Sequence, residues 1–166
     1  AESGLDYTIV RPTMIYGSPR DRNIWRLINF INKWPIVPII GRGDVLQQPV
    51  YVDDVAQAII SAAESDLSIG RSYDIAGAEA ISFLDIVDLV SAALGRSTNK
   101  VHVPYVMAKY ASLLLGGIGL GITFEQVLRF GEEKTFDISA ASRDLGYKPL
   151  GFENGLAHEI QWLRKL

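Results

Sequence analysis

The chain has 166 residues, 48% hydrophobic and 21% charged, with a net charge of −3. This is the composition of one ordinary globular domain; it excludes disorder and coiled coil, and the lack of a basic excess excludes a nucleic-acid partner, whose phosphates are bound mainly through charge. Zero cysteines exclude disulfides, zinc ribbons and thiol catalysis and fit a reducing compartment, here expected to be the cytoplasm, while the two histidines, His102 and His158, stand too far apart for a histidine metal cluster.

Residues 1–10 lack the basic-then-apolar pattern of a targeting segment. Ser3-Gly4 reads as a helix C-cap with no helix before it. Leu5-Asp6-Tyr7-Thr8-Ile9-Val10 is β-branched and aromatic and predicts a strand. Its apolar continuity fits a parallel sheet covered on both faces, although a small antiparallel sheet suits the same residues. Pro and Gly make 11–22 a loop. Asn23–Trp34 predicts a helix with Ile24, Leu27, Ile28 and Ile31 on one face, ended by Pro35; its Trp25, Phe30 and Trp34 are expected in the core or in a subunit contact. A strand over Ile36–Ile40, a turn at Gly41–Asp44 and a strand over Pro49–Val52 follow.

Asp53 and Asp54 are expected as N-cap and first-turn carboxylate of a helix through Glu64, a reading preferred over a catalytic acid pair. A strand at Tyr73–Ala76 ends at Gly77. Ser82 and Asp85 form a capping box for a helix to Leu94, closed by Gly95. Lys100–Val103 is a short strand, where His102 is expected as a hydrogen-bonded structural residue. Pro104 opens a helix to about Leu115. Ala111–Phe124 is the longest apolar stretch, 14 residues with four glycines, well short of the roughly 20 needed to span a bilayer, so no membrane partner is expected. A capped helix over Thr123–Phe130, a strand at Thr135–Asp137, a short helix at Ser139–Leu145 and a terminal helix at Phe152–Leu166 complete the chain. On the last, Leu156, Ile160 and Leu163 share a face, and His158 and Glu159 are expected at the surface. Mean hydropathy of +0.15 points to apolar surface covered by something outside this chain.

Several segments, in this order, resemble one family. SGLDYTIVRPTMIYG (3–17) is similar to the strand and loop that follow the catalytic helix of extended short-chain dehydrogenases/reductases, the NAD(P)-dependent nucleotide-sugar epimerases and dehydratases. QQPVYVDDVAQAI (47–59) resembles the segment that family carries before its next helix. GRSYDIAG (70–77), ISFLDIVDLVSAALGR (81–96), KVHVP (100–104) and TFDISAASRDLGYKP (135–149) follow in the family's order. The resemblance implies an α/β, helix-rich fold: a remnant of a Rossmann-type parallel sheet plus a small mixed α/β substrate-binding subdomain. Residues 1–166 are then a single C-terminal substrate-binding domain. The family's glycine-rich dinucleotide loop and its catalytic Tyr/Lys pair fall before this stretch. No catalytic residue is therefore assigned. NAD or NADP is expected for the longer parent, where a hydride would leave and return to a sugar or related carbonyl compound, and no cofactor is expected for these residues alone.

The same resemblance implies the site. Pro12, Thr13 and Met14, after the RP strand, would lie against the nicotinamide end of the cofactor; Arg11-Pro12 also reads simply as a strand terminus. Arg20 and Arg42, with Arg22 nearby, are candidates to clamp the pyrophosphate of a nucleotide-sugar substrate, or are solvated surface cations. Gln48 is the third substrate-side candidate, to hydrogen-bond a neutral ligand or to fill a strand edge. Gln47-Gln48 stand where sugar enzymes commonly carry Arg-Asp, which argues against a nucleotide-sugar and leaves open a non-catalytic NAD(P)-sensing or assembly protein. Two literal matches are set aside. Tyr105-Val-Met-Ala-Lys109 lies after the RP motif, and Gly116–Gly121 follows a helix rather than a strand. Tyr7–Val10 is expected to pair with Tyr73–Ala76 and to leave an open apolar edge, hence a homodimer.

Overall fold

The computed structural model describes residues 4–108, 110 and 133–163. Within these, β-branched residues form β1 (Ile9–Pro12), which pairs in parallel with β6 (Ser72–Ile75) in the register Ile9↔Ser72 to Pro12↔Ile75. The expected pairing is therefore present. The strand is shorter than its apolar run because Tyr7 is already turned toward the Gly70 amide, which its carbonyl accepts at 2.7 Å. It is also not covered on both faces: Ile9 is 47% exposed.

Contacts divide the chain into two compact units, one of residues 1–26, 48–80 and 134–166, the other of residues 27–47 and 81–133. In the first unit β2 (Ile15–Tyr16) pairs in parallel with β5 (Val50–Tyr51). β5 runs directly into α2 (Val52–Glu64), so Tyr51 is the N-cap and makes no side-chain cap bond. Asp53 is thus not the N-cap expected from sequence. Both carboxylates sit in the first turn, at the positive end of the helix dipole. Val55, Ala58 and Ala62 form the buried face of α2, and Val50, Val55, Ala58, Tyr73, Ile75, Ala141 and Tyr147 make one core cluster.

α4 (Ser139–Leu145) closes on Gly146 at φ +65° and α5 (Phe152–Leu163) buries Phe152, Leu156 and Ile160. The strand expected at Thr135–Asp137 is absent. There the Phe136 amide donates to a side chain, Gln48 Oε1, at 2.8 Å, and Asp137 turns to accept from Ser139 at the start of α4.

In the second unit β3 (Ile36–Ile40) pairs in parallel with β8 (Asn99–Val103), and β4 (Leu46–Gln47) in antiparallel with β7 (Ile81–Ser82). α3 (Phe83–Ala93) carries the full Ser82/Asp85 capping box and buries Ile86, Val87 and Val90. α1 (Ile24–Lys33) begins in the first unit and continues in the second. Its Ile24, Ile28 and Ile31 are buried as expected, whereas Phe30 and Trp34 are 38% and 52% exposed, so they are not core. The branched isoleucines, spaced three and four apart, own the inward stripe and the aromatics fall outside it. The helix opened by Pro104 starts at Tyr105. Its expected continuation to Leu115, Lys109, the Gly116–Gly121 link and the Thr123–Phe130 helix lie outside the described residues.

Candidate functional site

Pro12 fixes the direction in which the chain leaves β1. The next residues are tied down on two sides. The Thr13 amide donates to Ile75 O at 3.0 Å, its hydroxyl donates to Gln48 O at 2.6 Å, and Met14 O accepts from the Val50 amide at 2.9 Å. The loop after the RP strand is thus stitched to both β6 and the segment before α2. Both Thr13 donors are engaged within the protein. Towards a nicotinamide carboxamide, Thr13 keeps only the accepting side of its hydroxyl.

Gln48 is 7% exposed. Its Nε2 donates to Gly77 O at 2.7 Å and its Oε1 accepts from the Phe136 amide at 2.8 Å. Both ends of the amide therefore hold backbone. The close approach needs Gly77: a Cβ there would fall 2.0 Å from Pro49 O. Arg20 is exposed on the loop after β2, and Ser18 Oγ accepts from its backbone amide. Arg42 belongs to the other unit, 89% exposed and paired with Asp44 at 2.9 Å. Of the substrate-side candidates, Arg20 and Gln48 share a unit, and Gln48 is brought to the cofactor candidate Thr13.

Tyr16 supports this loop from below. It is 1% exposed, donates to Phe152 O at 3.2 Å, and meets the Tyr51 ring edge-on at 5.7 Å and the Phe152 ring at 5.0 Å. Burial first, then the Glu159 carboxyl, pushes its hydroxyl far above the usual phenol range. Tyr16 is held as a donor to the Phe152 carbonyl. Gly17 makes the following turn at φ +115°, where a Cβ would lie 2.4 Å from the Tyr51 ring. Asp21 then accepts from the Asn23 amide at 2.7 Å and the Trp25 amide at 3.2 Å, capping α1.

Asp54 accepts from the Leu150 amide at 2.9 Å. Burial raises its carboxyl against the lowering effect of that bond. His102 is hydrogen-bonded through Nδ1 to Gly41 O at 2.9 Å, a structural contact as expected. His158 is exposed, with its ring 5.8 Å from that of Tyr51. Glu159 overturns its surface assignment: it is 0% exposed, and neither carboxyl oxygen has a hydrogen-bond partner of good geometry. Its polar neighbours are Asp21 and the Gly17 amide. Burial, then Asp21, raises its carboxyl to about 9, with the amide pulling the other way. The spacing held the clue, since Glu159 follows Leu156 by three residues and Phe152 by seven, on the face that also carries Ile160. Among the described residues no group of three or more His, Asp or Glu could hold a metal.

Residues 1–76 match the model of the NAD dependent epimerase/dehydratase family. A curated relative, the mitochondrial NADH dehydrogenase [ubiquinone] 1 alpha subcomplex subunit 9 of Arabidopsis thaliana, is 35% identical over 104 residues, 61% of this chain and 25% of that protein. The UDP-glucuronic acid 4-epimerase of Bacillus cereus, solved with UDP-glucuronic acid and NAD, superposes with a TM-score of 0.70 at 26% identity, over 95% of this chain and 45% of the other. The UDP-glucose 4-epimerase of Thermotoga maritima, solved with UDP-glucose, shares the fold at a TM-score of 0.75 and 22% identity, over 99% of this chain and 48% of the other. The chain spans 37%, 25% and 31% of the lengths of three curated relatives it matches.

Proposed function

Because this chain is NAD-dependent epimerase/dehydratase-like, carrying that family's sequence over residues 1–76 and the fold of its UDP-sugar enzymes, we propose that it forms the substrate-side wall of an NAD(P)-dependent epimerase, dehydratase or related reductase. One observation carries the reading. The two segments that resemble the family, 35 residues apart at Thr13 and Gln48, meet through a 2.6 Å hydrogen bond. That contact holds the Pro12–Met14 loop in place, and Arg20 is exposed on the loop after β2 of the same unit. On this reading Pro12 and Met14 line the cofactor side and Arg20 the substrate side, while Gln48 braces the Thr13 segment against Gly77 and Phe136.

On this reading the 166 residues by themselves are not expected to hold a dinucleotide. The Thr13 donors are engaged, and no glycine-rich strand–turn–helix stands among the described residues to seat a pyrophosphate. Calorimetric titration of the 166-residue chain with NAD, NADP and UDP-glucose tests this. The expected result is no stoichiometric dinucleotide binding and no turnover, with weak UDP-glucose binding that is lost in Arg20→Ala. Tight dinucleotide binding, or UDP-glucose binding indifferent to Arg20, overturns the reading.

A second reading has its own support. The relative at 35% identity is named as a subunit of NADH dehydrogenase, and Gln47-Gln48 stand where sugar enzymes resembling this chain carry Arg-Asp. On this reading the chain is a non-catalytic assembly or NAD(P)-sensing protein. Absence of sugar-nucleotide binding, together with migration of the chain in lysates of its source far above its 18.3 kDa, favours it. No helix among the described residues is long and apolar enough to cross a membrane; the cytoplasm is carried as part of the proposal. So is a homodimer through the edge of β1 that β6 leaves open among the described residues, where Ile9 is exposed; a monomer by light scattering excludes it.

A further inference from the structure

Residues paired in register across parallel strands turn their side chains to the same side of the sheet. In the second unit Ile36↔Asn99 and Pro38↔Val101 of β3 and β8 therefore share one face, and Val37 and Ile39 turn to the other. The second of these faces is closed, with Val37 and Ile39 at 1% and 0% exposure. The first is bare: Ile36 is 51% and Val101 49% exposed, and Pro38 is exposed between them. Single exposed apolar residues are ordinary, but a run of them along one sheet face marks an interaction surface.

Both ends of the sheet extend this character. Because β3 and β8 run parallel, the residues that lead into them lie at one end: Lys33 and Trp34 before β3, and Arg96 before β8, all exposed. The Lys33 ammonium stands 5.6 Å over the Trp34 ring. Neither Lys33 nor Arg96 enters an ion pair among the described residues. At the other end β8 passes through Pro104 into the helix that starts at Tyr105, where Val106, Met107 and Tyr110 are exposed and Ala108 is buried.

Charge selects the occupant. Acids outnumber bases 19 to 16 in the whole chain, yet no Asp or Glu occurs in residues 27–43 or 89–110. The acids that border these stretches, Asp44 and Asp88, are already paired with Arg42 and Lys100. A second copy would bring the same acid-free segments and no partner for the exposed cations. An apolar centre edged by Trp, Tyr and unpaired cations has instead the make-up of a surface that lies in the interface of an anionic bilayer. Such a surface needs no spanning helix, so the sequence argument against a membrane, which concerned spanning, does not bear on it.

We propose that the outward β3–β8 face of the second unit docks the chain on an anionic phospholipid surface: Trp34, Ile36 and Val101 enter the boundary between headgroups and acyl chains, and Lys33 and Arg96 meet the lipid anions. The proposal does not rest on the enzymatic reading above.

Co-sedimentation of the 166-residue chain with vesicles tests it, using phosphatidylcholine alone or phosphatidylcholine and phosphatidylserine in equal parts. Binding to the mixed vesicles is expected to weaken with salt. It is expected to be about 25-fold weaker on phosphatidylcholine alone, and about fivefold weaker in each of Lys33→Gln and Arg96→Gln, one cation at a time. Ile36→Thr combined with Val101→Thr keeps both strands β-branched while removing apolar contact, and is expected to lower binding about tenfold. Should that pair not fold, tryptophan quenching by brominated phosphatidylcholine in the mixed vesicles decides: it is expected in the wild type and lost in Trp34→Phe, with Trp25 and Trp162 still present. No binding to mixed vesicles, or quenching that survives Trp34→Phe, overturns the proposal. Binding that responds to salt but not to the Thr pair points to an acidic protein partner and overturns it as well. So does a dimer in light scattering that the Thr pair abolishes without any vesicle binding.

Discussion

The Tyr16 hydroxyl lies where a side chain at Gly155 would begin: a Cβ built on Gly155 would fall 2.1 Å from Tyr16 Oη and 2.8 Å from Cζ. This close approach lets Tyr16 reach Phe152 O across α5. It also explains a glycine inside a helix, where glycine costs about 1 kcal/mol relative to alanine.

Gly155→Ala is therefore expected to destabilise the chain by about 1–3 kcal/mol despite the better helix former, because overpacking outweighs propensity. Urea denaturation measures it. The cost shrinks in a Tyr16→Phe background, where the hydroxyl that the new methyl meets is gone, so the double-mutant cycle is non-additive.

Gln48→Leu removes both bonds of the brace and leaves Gly77 O and the Phe136 amide unpaired. The expected loss is about 2–4 kcal/mol, the cost of orphaned buried groups added to two modest bonds. Gln48→Glu makes a sharper test. Its carboxylate would face the Gly77 carbonyl, now donated to by Nε2 at 2.7 Å, so this variant is expected to melt lower at pH 7 than at pH 4 relative to wild type.

Glu159 makes global stability depend on pH with a definite sign. Its folded value of about 9 lies above its ordinary 4.5. The native state thus binds more protons than the unfolded state between those values. Its contribution is fully present below about pH 4.5 and declines as pH rises, until it is lost above about 9. The slope approaches about 1.4 kcal/mol per pH unit inside that window. Urea midpoints of wild type and Glu159→Gln at pH 6 and pH 9 check it: the wild type loses more on the alkaline step than the variant.

Arg42→Ala is expected to change stability by less than about 0.5 kcal/mol, since its ion pair is solvent-exposed and worth little. Calorimetric melting checks this. Any weakening of UDP-glucose binding in this variant then reports on ligand and not on folding.

Local signals in the sequence account for much of the fold. Ser82 and Asp85 announce a capping box, Gly146 a helix end, and Ile24, Ile28 and Ile31 an inward stripe; each depends on neighbours within one or two turns. The order of motifs points to the pairing of β1 with β6. Less visible are the features that need distant partners. Asp53 has the residue type of a cap, but β5 runs straight into α2 and leaves no cap position for it. Thr135–Asp137 has the pattern of a strand, but Gln48 claims the Phe136 amide from 88 residues away.

By itself, then, the sequence determined an α/β chain, its element order and the segments that resemble the epimerase/dehydratase family, because periodicity, caps and turns are written over short spans. Tertiary structure alone decided that Gln48 braces Thr13, that Gly155 makes room for Tyr16 and that Glu159 is buried. Those outcomes depend on which surfaces close over one another across as many as 139 residues of chain, from Tyr16 to Gly155. A carboxyl on a helix face carries no mark of whether water or another helix will cover it.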